Sequence, residues 1–521
     1  MTPDARRLTL PITLIAATVV FGYVLMRFTI QPGLASFADD SVSYLVMTQV
    51  WSPWHEASAA VRDIFPHEVF YPPLFPLLLA LFDAGRDIAL AHVICAVLLA
   101  GSLPLIYLVG VRWLDSRAAA LAAALLFCLM PGVWLNAKGI LSEPLFLVVL
   151  LALMLEFATR KRIGVLSLLF GSLVLTRAIG CTMAAGYLAW ALLASGGSIG
   201  GRLRSAIPAL IGLALYVGWL LLRPATTSDD YSAYGSDTIS QLLHAPLTLG
   251  DRIAEQATSF ADSWSESLLI YWTAGHSATH AAALAIGAIA IIGWLYRFVH
   301  RMPDAWMIAG YCGVLLIWPF PGQMLRFLLP ILPVLLLYAF CAARLLSQRA
   351  SGSVLPAATL AIFIATLCAP ALVFISARAA AGRDNGYATI TEWYGSADVA
   401  VAAARAQTHL DLFATLARVR ESTTEKDRVA WVAPAYVALL ADRFAVALPP
   451  ASLAPAQYRH ALMDSGATYA LLSTYHPRDT VHTTAWQAGV AALSDDEPVD
   501  VGRHPDGTVY AALWKLRAGD P

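Results

Sequence analysis

The chain has 521 residues, 58% of them hydrophobic and 13% charged, with a mean hydropathy of +0.64. An ordinary soluble globule carries about 25% charged residues, so this composition excludes one and identifies an integral membrane protein. The formal net charge of −1, from 34 basic and 35 acidic residues, offers no global attraction to a polyanion and argues against a nucleic-acid partner.

Eleven apolar stretches, near 9–30, 87–112, 118–135, 143–159, 163–176, 179–195, 205–222, 279–297, 305–320, 326–345 and 354–376, are each long enough to cross a bilayer if short or tilted segments are included. The first follows Arg6-Arg7 and shows no small-residue cleavage site before Gln31-Pro32, so it reads as a retained helix. With Arg6 and Arg7 cytoplasmic, alternate loops carry Arg112/Arg117, Arg160-Lys161-Arg162, Arg202/Arg204, Arg297/Arg301 and Arg344/Arg349, the positive-inside pattern. An odd number of crossings then puts the C-terminal tail outside, which in a bacterial inner membrane is the periplasmic side. ATP and nucleotide sugars are scarce there, so an enzyme on that face needs an activated donor carried by the bilayer. The six cysteines all lie inside apolar stretches and suggest neither a disulfide framework nor a Cys-rich zinc site.

This divides the chain into a transmembrane domain, 1–376, with outer loops 31–86 and 223–278, and an outer domain, 377–521. In the first loop Trp51, Trp54, Phe65, Phe70 and Tyr71 predict an interfacial helix near 41–61 with its aromatics at headgroup depth. Phe75 to Phe82, after Pro72-Pro73, is too short to cross and reads as a surface or re-entrant helix. The second loop is similar, with Trp264, Tyr271 and Trp272 beside Asp251, Asp262 and Glu266. The tail alternates: a helix over Ala397–Arg420, a strand over 428–432, helices over Pro434–Arg443 and Tyr458–Ser465, and strands over 469–472 and Val509–Leu516. That pattern predicts a small α/β domain.

The charges that interrupt the apolar pattern are the functional candidates. Asp39-Asp40 follows the first crossing. Asp40 or Ser41 reads as the cap of the next helix; a compatible reading makes one carboxylate a general base, its pKa raised by its like-charged neighbour and the membrane edge. Lys138, Arg177, Arg223 and Arg326 stand at outer turns or helix ends, against the positive-inside pattern. Singly, each reads as snorkelling to the headgroups, whereas several converging make an anion site suited to a lipid phosphate. Ser142-Glu143-Pro144 opens the fourth crossing, where Ser is a good N-cap and Glu suits the helix dipole, or Glu143 faces the outer cavity as a supporting group. His67-Glu68 and Tyr71, with Asp39, are a weak candidate for a divalent cation, and His67 reads more simply as surface. Together an acidic base and a cationic phosphate cradle on one face fit displacement at a sugar carbon with a lipid phosphate as leaving group.

Asp39-Asp40 with Tyr44, Tyr71-Pro72-Pro73-Leu74-Phe75-Pro76-Leu77, Ser142-Glu143-Pro144-Leu145-Phe146, Leu175-Thr176-Arg177 and Arg326-Phe327-Leu328-Leu329-Pro330 occur in an order that resembles the GT-C superfamily of polyprenyl-phosphate-sugar-dependent glycosyltransferases, which includes lipid A aminoarabinose transferases and protein O-mannosyltransferases. The resemblance covers about residues 9–345. It implies catalysis by Asp39 or Asp40 and a donor phosphate held by Arg177, Arg326 and Lys138, with an envelope lipid, glycan or protein as acceptor. Tyr71 stands where relatives often carry a basic residue or histidine, and Thr176-Arg177-Ala178 lacks the Pro that often follows the Arg. The rival readings are a transporter or lipid-carrier flippase, which predicts ionisable groups or broken helices near the midplane, and a non-catalytic scaffold on the same fold.

Overall fold

The eleven apolar runs are helical because, without water in a bilayer core, a backbone must satisfy its own hydrogen bonds, though 118–135 is broken before Pro131 and 326–345 around Pro330, where proline lacks an N–H. The computed structural model describes residues 3–36, 39–196, 198–224, 246–270, 277–318, 321–349, 355–450, 453–473, 497–503, 507 and 509–516. The bundle comprises α1 (Pro3–Thr29), α5 (Ile88–Leu114), α6 (Arg117–Leu129), α8 (Glu143–Thr159), α9 (Ile163–Thr176), α10 (Gly180–Leu193), α11 (Ile199–Leu222), α13 (Ser277–Val299), α14 (Pro303–Leu315), α16 (Leu332–Arg349) and α17 (Leu355–Ala381). Among the described residues five helices, α1, α5, α11, α13 and α17, are by themselves long and apolar enough to span, and the rest are shorter. Small residues let the helices approach: a Cβ on Gly293 of α13 would stand 1.8 Å from the Tyr338 carbonyl oxygen of α16.

The two ends of the bundle differ. At the end where α5, α8, α13 and α16 finish, Arg297 binds Asp304 through two hydrogen bonds of 2.7 and 2.6 Å, Tyr338 donates to Asp304 at 3.0 Å, and the Arg297 guanidinium lies 3.8 Å from the Trp113 ring centroid. Arg344 donates to the Trp113 carbonyl at 3.2 Å, and Arg162 pairs with Glu156 at 3.1 Å. This is the end to which the sequence assigns the basic loops.

At the other end, the first loop folds into α2 (Asp39–Trp51), α3 (Ala59–Glu68) and α4 (Leu74–Leu81), and the second contributes α12 (Pro246–Leu269). The expected single interfacial helix over 41–61 is instead two helices, interrupted at Pro53, which has no N–H to continue a ladder. Nor does α2 lie on a membrane surface: residues 41–48 are all buried. Trp54 is exposed, Trp51 packs edge-on against Phe65 and Trp219, and Trp264 is buried, with its indole donating to the Ala283 carbonyl at 2.8 Å. Tyr271 and Trp272 lie outside the described residues. A short helix α7 (Pro131–Asn136) and a one-turn helix α15 (Met324–Leu328) close this end.

The tail is an α/β unit. Helix α18 (Val399–Ser422), capped by the Asp398 carboxylate on the Ala400 and Val401 amides, covers a five-stranded sheet of order β2-β1-β3-β5-β4. Strands β1 (Arg428–Trp431), β2 (Phe444–Ala447) and β3 (Tyr469–Ser473) are parallel, and β5 (Val509–Lys515) runs antiparallel to both of its neighbours, β3 and β4 (Asp500–Arg503). The expected helix over 434–443 stops at Ala441, because Asp442 turns the chain through φ 54° into β2. Helix α19 (Pro455–Asp464) follows.

Val42, Leu45, Ile64 and Phe75 of the first loop share one apolar cluster with Leu412, Trp431 and Tyr436 of the tail. The Thr391 amide donates to the Ala35 carbonyl at 2.8 Å, and Arg428 pairs with Asp63 at 3.1 Å. Helix α2 is therefore clamped between the bundle and the outer α/β unit.

Candidate active site at the end of the bundle opposite the basic loops

Five elements bring the site together. Helix α2 supplies Asp40 and Tyr44; Tyr71 precedes α4; Ser142 and Glu143 open α8; Arg177 ends α9; Arg326 sits on α15. Each charged group stands at a helix terminus or on a short helix at the same end, so the fold concentrates them where the apolar packing stops.

The four charged groups form an alternating chain. Arg326 donates through Nη2 to Asp40 Oδ2 and through Nε to Glu143 Oε1, and the same Glu143 oxygen receives Arg177 Nη1 at 2.5 Å. Arg177 also donates to Ser142 Oγ at 3.1 Å, and Ser142 shares a 2.9 Å hydrogen bond with the Tyr44 hydroxyl. The Tyr71 hydroxyl donates to Asp40 Oδ1. Tyr44 packs against the Tyr71 and Phe75 rings at 4.8 and 5.0 Å, and the Arg177 guanidinium lies 5.4 Å from the Phe327 ring centroid.

Burial grades the chain. The side chains of Glu143 and Arg177 are 0% and 10% exposed, those of Asp40 and Arg326 17% each. Glu143 holds both guanidinium groups in place, and the Asp40–Arg326 pair is the end that reaches solvent. The sequence predicts a raised pKa for a base at this pair, and the structure reverses that for Asp40: burial tends to raise it, but the Arg326 guanidinium and the Tyr71 hydrogen bond outweigh burial and hold the carboxyl below its ordinary range. Burial, and then the Asp40 charge, push the Tyr44 phenol well above its usual value, so it stays a neutral hydroxyl.

Of the residues singled out in the sequence, Asp40, Tyr44, Tyr71, Glu143, Arg177 and Arg326 thus stand in one network. The Asp39 side chain lies outside the described residues. Lys138 stands apart. Its ammonium is 1% exposed and donates to the Phe28 and Ala388 carbonyls at 3.1 and 2.7 Å, over the Phe28 and Tyr394 rings. That position ties α1 to the start of the outer unit. His67 is exposed in the last turn of α3, where the neighbouring Glu68 accepts from Ser43. Arg223 donates to the Phe70 carbonyl at 3.1 Å. Among the described residues no group of three or more His, Cys, Asp or Glu side chains is disposed to hold a metal ion.

Ser142 has a different task from the one its position suggests. It is the N-cap residue of α8 but makes no side-chain cap; its hydroxyl instead joins Arg177 to Tyr44. Nothing local to Ser142-Glu143-Pro144 distinguishes the two uses, since both suit a serine before a helix.

No model of a known protein family matches the chain, and no curated protein matches it. Solved structures do. ArnT from Cupriavidus metallidurans bound to undecaprenyl phosphate aligns with a TM-score of 0.53 at 12% identity, over 98% of this chain and 99% of that one. The same protein in the apo state gives 0.51 at 14% identity, over 98% of each chain. The archaeal oligosaccharyltransferase AglB from Archaeoglobus fulgidus, in complex with an inhibitory peptide and a dolichol-phosphate, gives 0.49 at 12% identity over 98% and 75%. The likeness to ArnT is one of fold: this chain is a polytopic helical membrane protein with a small α/β unit at its C-terminus.

Proposed function

We propose that this chain is an inverting glycosyltransferase that moves a hexose or pentose from a polyprenyl-phosphate donor to a lipid, glycan or protein acceptor of the cell envelope. It acts at the periplasmic face of a bacterial inner membrane. The observation that carries this reading is the Asp40–Arg326–Glu143–Arg177 chain at the end of the bundle away from the basic loops. A lipid phosphate enters such a site from the bilayer, and guanidinium forks match its oxygens. The fold likeness to a protein solved with undecaprenyl phosphate supports the same ligand class.

In the reaction Asp40 takes the proton of the acceptor O–H or N–H. The acceptor atom attacks the anomeric carbon opposite the phosphate, the sugar–phosphate C–O bond breaks, and the polyprenyl phosphate leaves with the electron pair. Its charge is met by Arg326 and Arg177, so no acid is needed at the leaving group. Glu143 and Ser142 position Arg177, and Tyr44 braces Ser142. The charges sit at the helix ends rather than near the midplane, which favours transfer chemistry over a transport pathway.

Transfer of labelled sugar by protein in nanodiscs, compared with Asp40→Asn and Asp39→Asn, tests the assignment. Asp40→Asn should lose about 10²–10⁴-fold in rate, the usual worth of a general base, while the donor still binds. Full activity in Asp40→Asn, or the same loss in Asp39→Asn alone, would overturn Asp40 as the base.

A further inference from the structure

Both oxygens of the Asp40 carboxylate are engaged, Oδ1 by the Tyr71 hydroxyl and Oδ2 by Arg326 Nη2. A carboxylate that receives a phenol on one oxygen and a guanidinium on the other is stabilised in its charged form, and this lowers its affinity for an acceptor proton. The four charged groups, Asp40, Glu143, Arg177 and Arg326, also sum to zero, so no unneutralised cation awaits an incoming phosphate. A phosphate that takes a guanidinium donor now given to a carboxylate has two carboxylates it could displace, Asp40 and Glu143. Glu143 is fully buried and grips both guanidinium groups through one oxygen, whereas Asp40 is at the solvent-reaching end and holds Arg326 by a single nitrogen.

We propose that Arg326 is exchanged between Asp40 and the donor phosphate, so that donor binding itself releases Asp40 to act as base. The inference rests on the glycosyltransferase reading above and adds an order to it: donor first, then deprotonation of the acceptor. Glu143 keeps Arg326 Nε throughout, and the Nη2 proton donor swings from the carboxylate to a phosphate oxygen. The site then carries the phosphate charge in excess. When Asp40 accepts the proton of the acceptor, the negative charge it loses passes through the attacking atom to the departing phosphate, which leaves as a monoester facing Arg326 and Arg177. An acceptor arriving before the donor meets a carboxylate whose proton affinity Arg326 and Tyr71 hold down.

The test is binding of a polyprenyl phosphate to the full-length protein in detergent, measured for wild type, Asp40→Asn, Arg326→Gln and the double variant. If the phosphate competes with Asp40 for Arg326, Asp40→Asn binds at least about tenfold more tightly than wild type, about 1.4 kcal/mol. The double variant loses that gain. A gain that survives in the double variant would mean that Asp40 acts only through its field, and an unchanged or weaker Asp40→Asn, with the protein folded by thermal melting, would mean that Arg326 is not exchanged. Either result overturns the proposal. Failure of every folded form, wild type included, to bind polyprenyl phosphate is a different outcome: it removes the lipid-phosphate reading and this inference with it. Kinetically, the exchange predicts that polyprenyl phosphate inhibits competitively with the donor and not with the acceptor, and the reverse pattern would contradict it.

Discussion

Lys138, Arg177 and Arg326 look alike in the sequence, each a cation at an outer helix end, and the structure gives them different surroundings. Arg177 and Arg326 meet carboxylates, whereas Lys138 meets two carbonyls and two rings. The distinction was not legible locally, because the partners of Lys138 lie 110 and 250 residues away, at Phe28 and Ala388. Burial pushes the Lys138 amine down to about 7 from 10.5. Between those values the unfolded chain holds more protons than the folded one, so this group makes stability rise with pH across that window. Lys138→Met removes the rise and takes the lysine donor from the Phe28 carbonyl, at about 1–3 kcal/mol, while the Ala388 carbonyl keeps the Tyr394 hydroxyl at 2.9 Å. Melting of both proteins in detergent between about pH 7 and pH 10 should show the wild type gaining on the variant as pH increases. A gap that is constant, or that closes, would contradict the placement of this amine. Ser142 gives a second case: its position before a helix was readable, but its use as a link between Arg177 and Tyr44 depends on α2 folding beside it.

Helix α2 carries the proposed base, and its own packing decides how well that carboxylate is held. The periodicity of 41–61 announced a helix with an apolar side but not what would cover that side, because the covering residues come from a unit more than 300 positions later, at Leu412, Trp431 and Tyr436. Leu45, fully buried in that cluster, is the direct probe. Leu45→Ala should cost about 2–5 kcal/mol of stability and also slow transfer per folded molecule, since Asp40 rides on the same helix. Ile364→Ala, an equally buried change on α17 within the bundle, should cost comparable stability and leave transfer per folded molecule unchanged. Melting and turnover measured on both variants check this, and equal effects on turnover would show that α2 is not the element that positions the base. By contrast the helices of the bundle were legible throughout, since a bilayer leaves an apolar run of that length no other way to satisfy its backbone. Strands β2 and β4 were not: each has four residues, too few for alternation to show, and each is fixed by its neighbour in the sheet.

At the scale of the whole molecule, the bundle, the first outer loop and the α/β unit meet around one site, and the basic residues at the far end leave that site on the opposite side of the bundle. The motifs Asp39-Asp40, Ser142-Glu143-Pro144, Leu175-Thr176-Arg177 and Arg326-Phe327 are separated by up to 286 residues, the span from Asp40 to Arg326, yet close into one hydrogen-bonded chain. Their order along the sequence carried the resemblance; their contact is a property of the fold. The choice of sugar and acceptor depends on the shape of the space above Asp40 and Arg326, which no short motif encodes. The most direct test of the central claim is to incubate the wild-type protein in nanodiscs with a panel of radiolabelled polyprenyl-phosphate sugars and extracted envelope acceptors. The account predicts label transferred to an acceptor, one polyprenyl phosphate released per sugar and an inverted anomeric linkage. A folded protein that binds no member of a panel containing the donors of its own source, and transfers nothing, would contradict it.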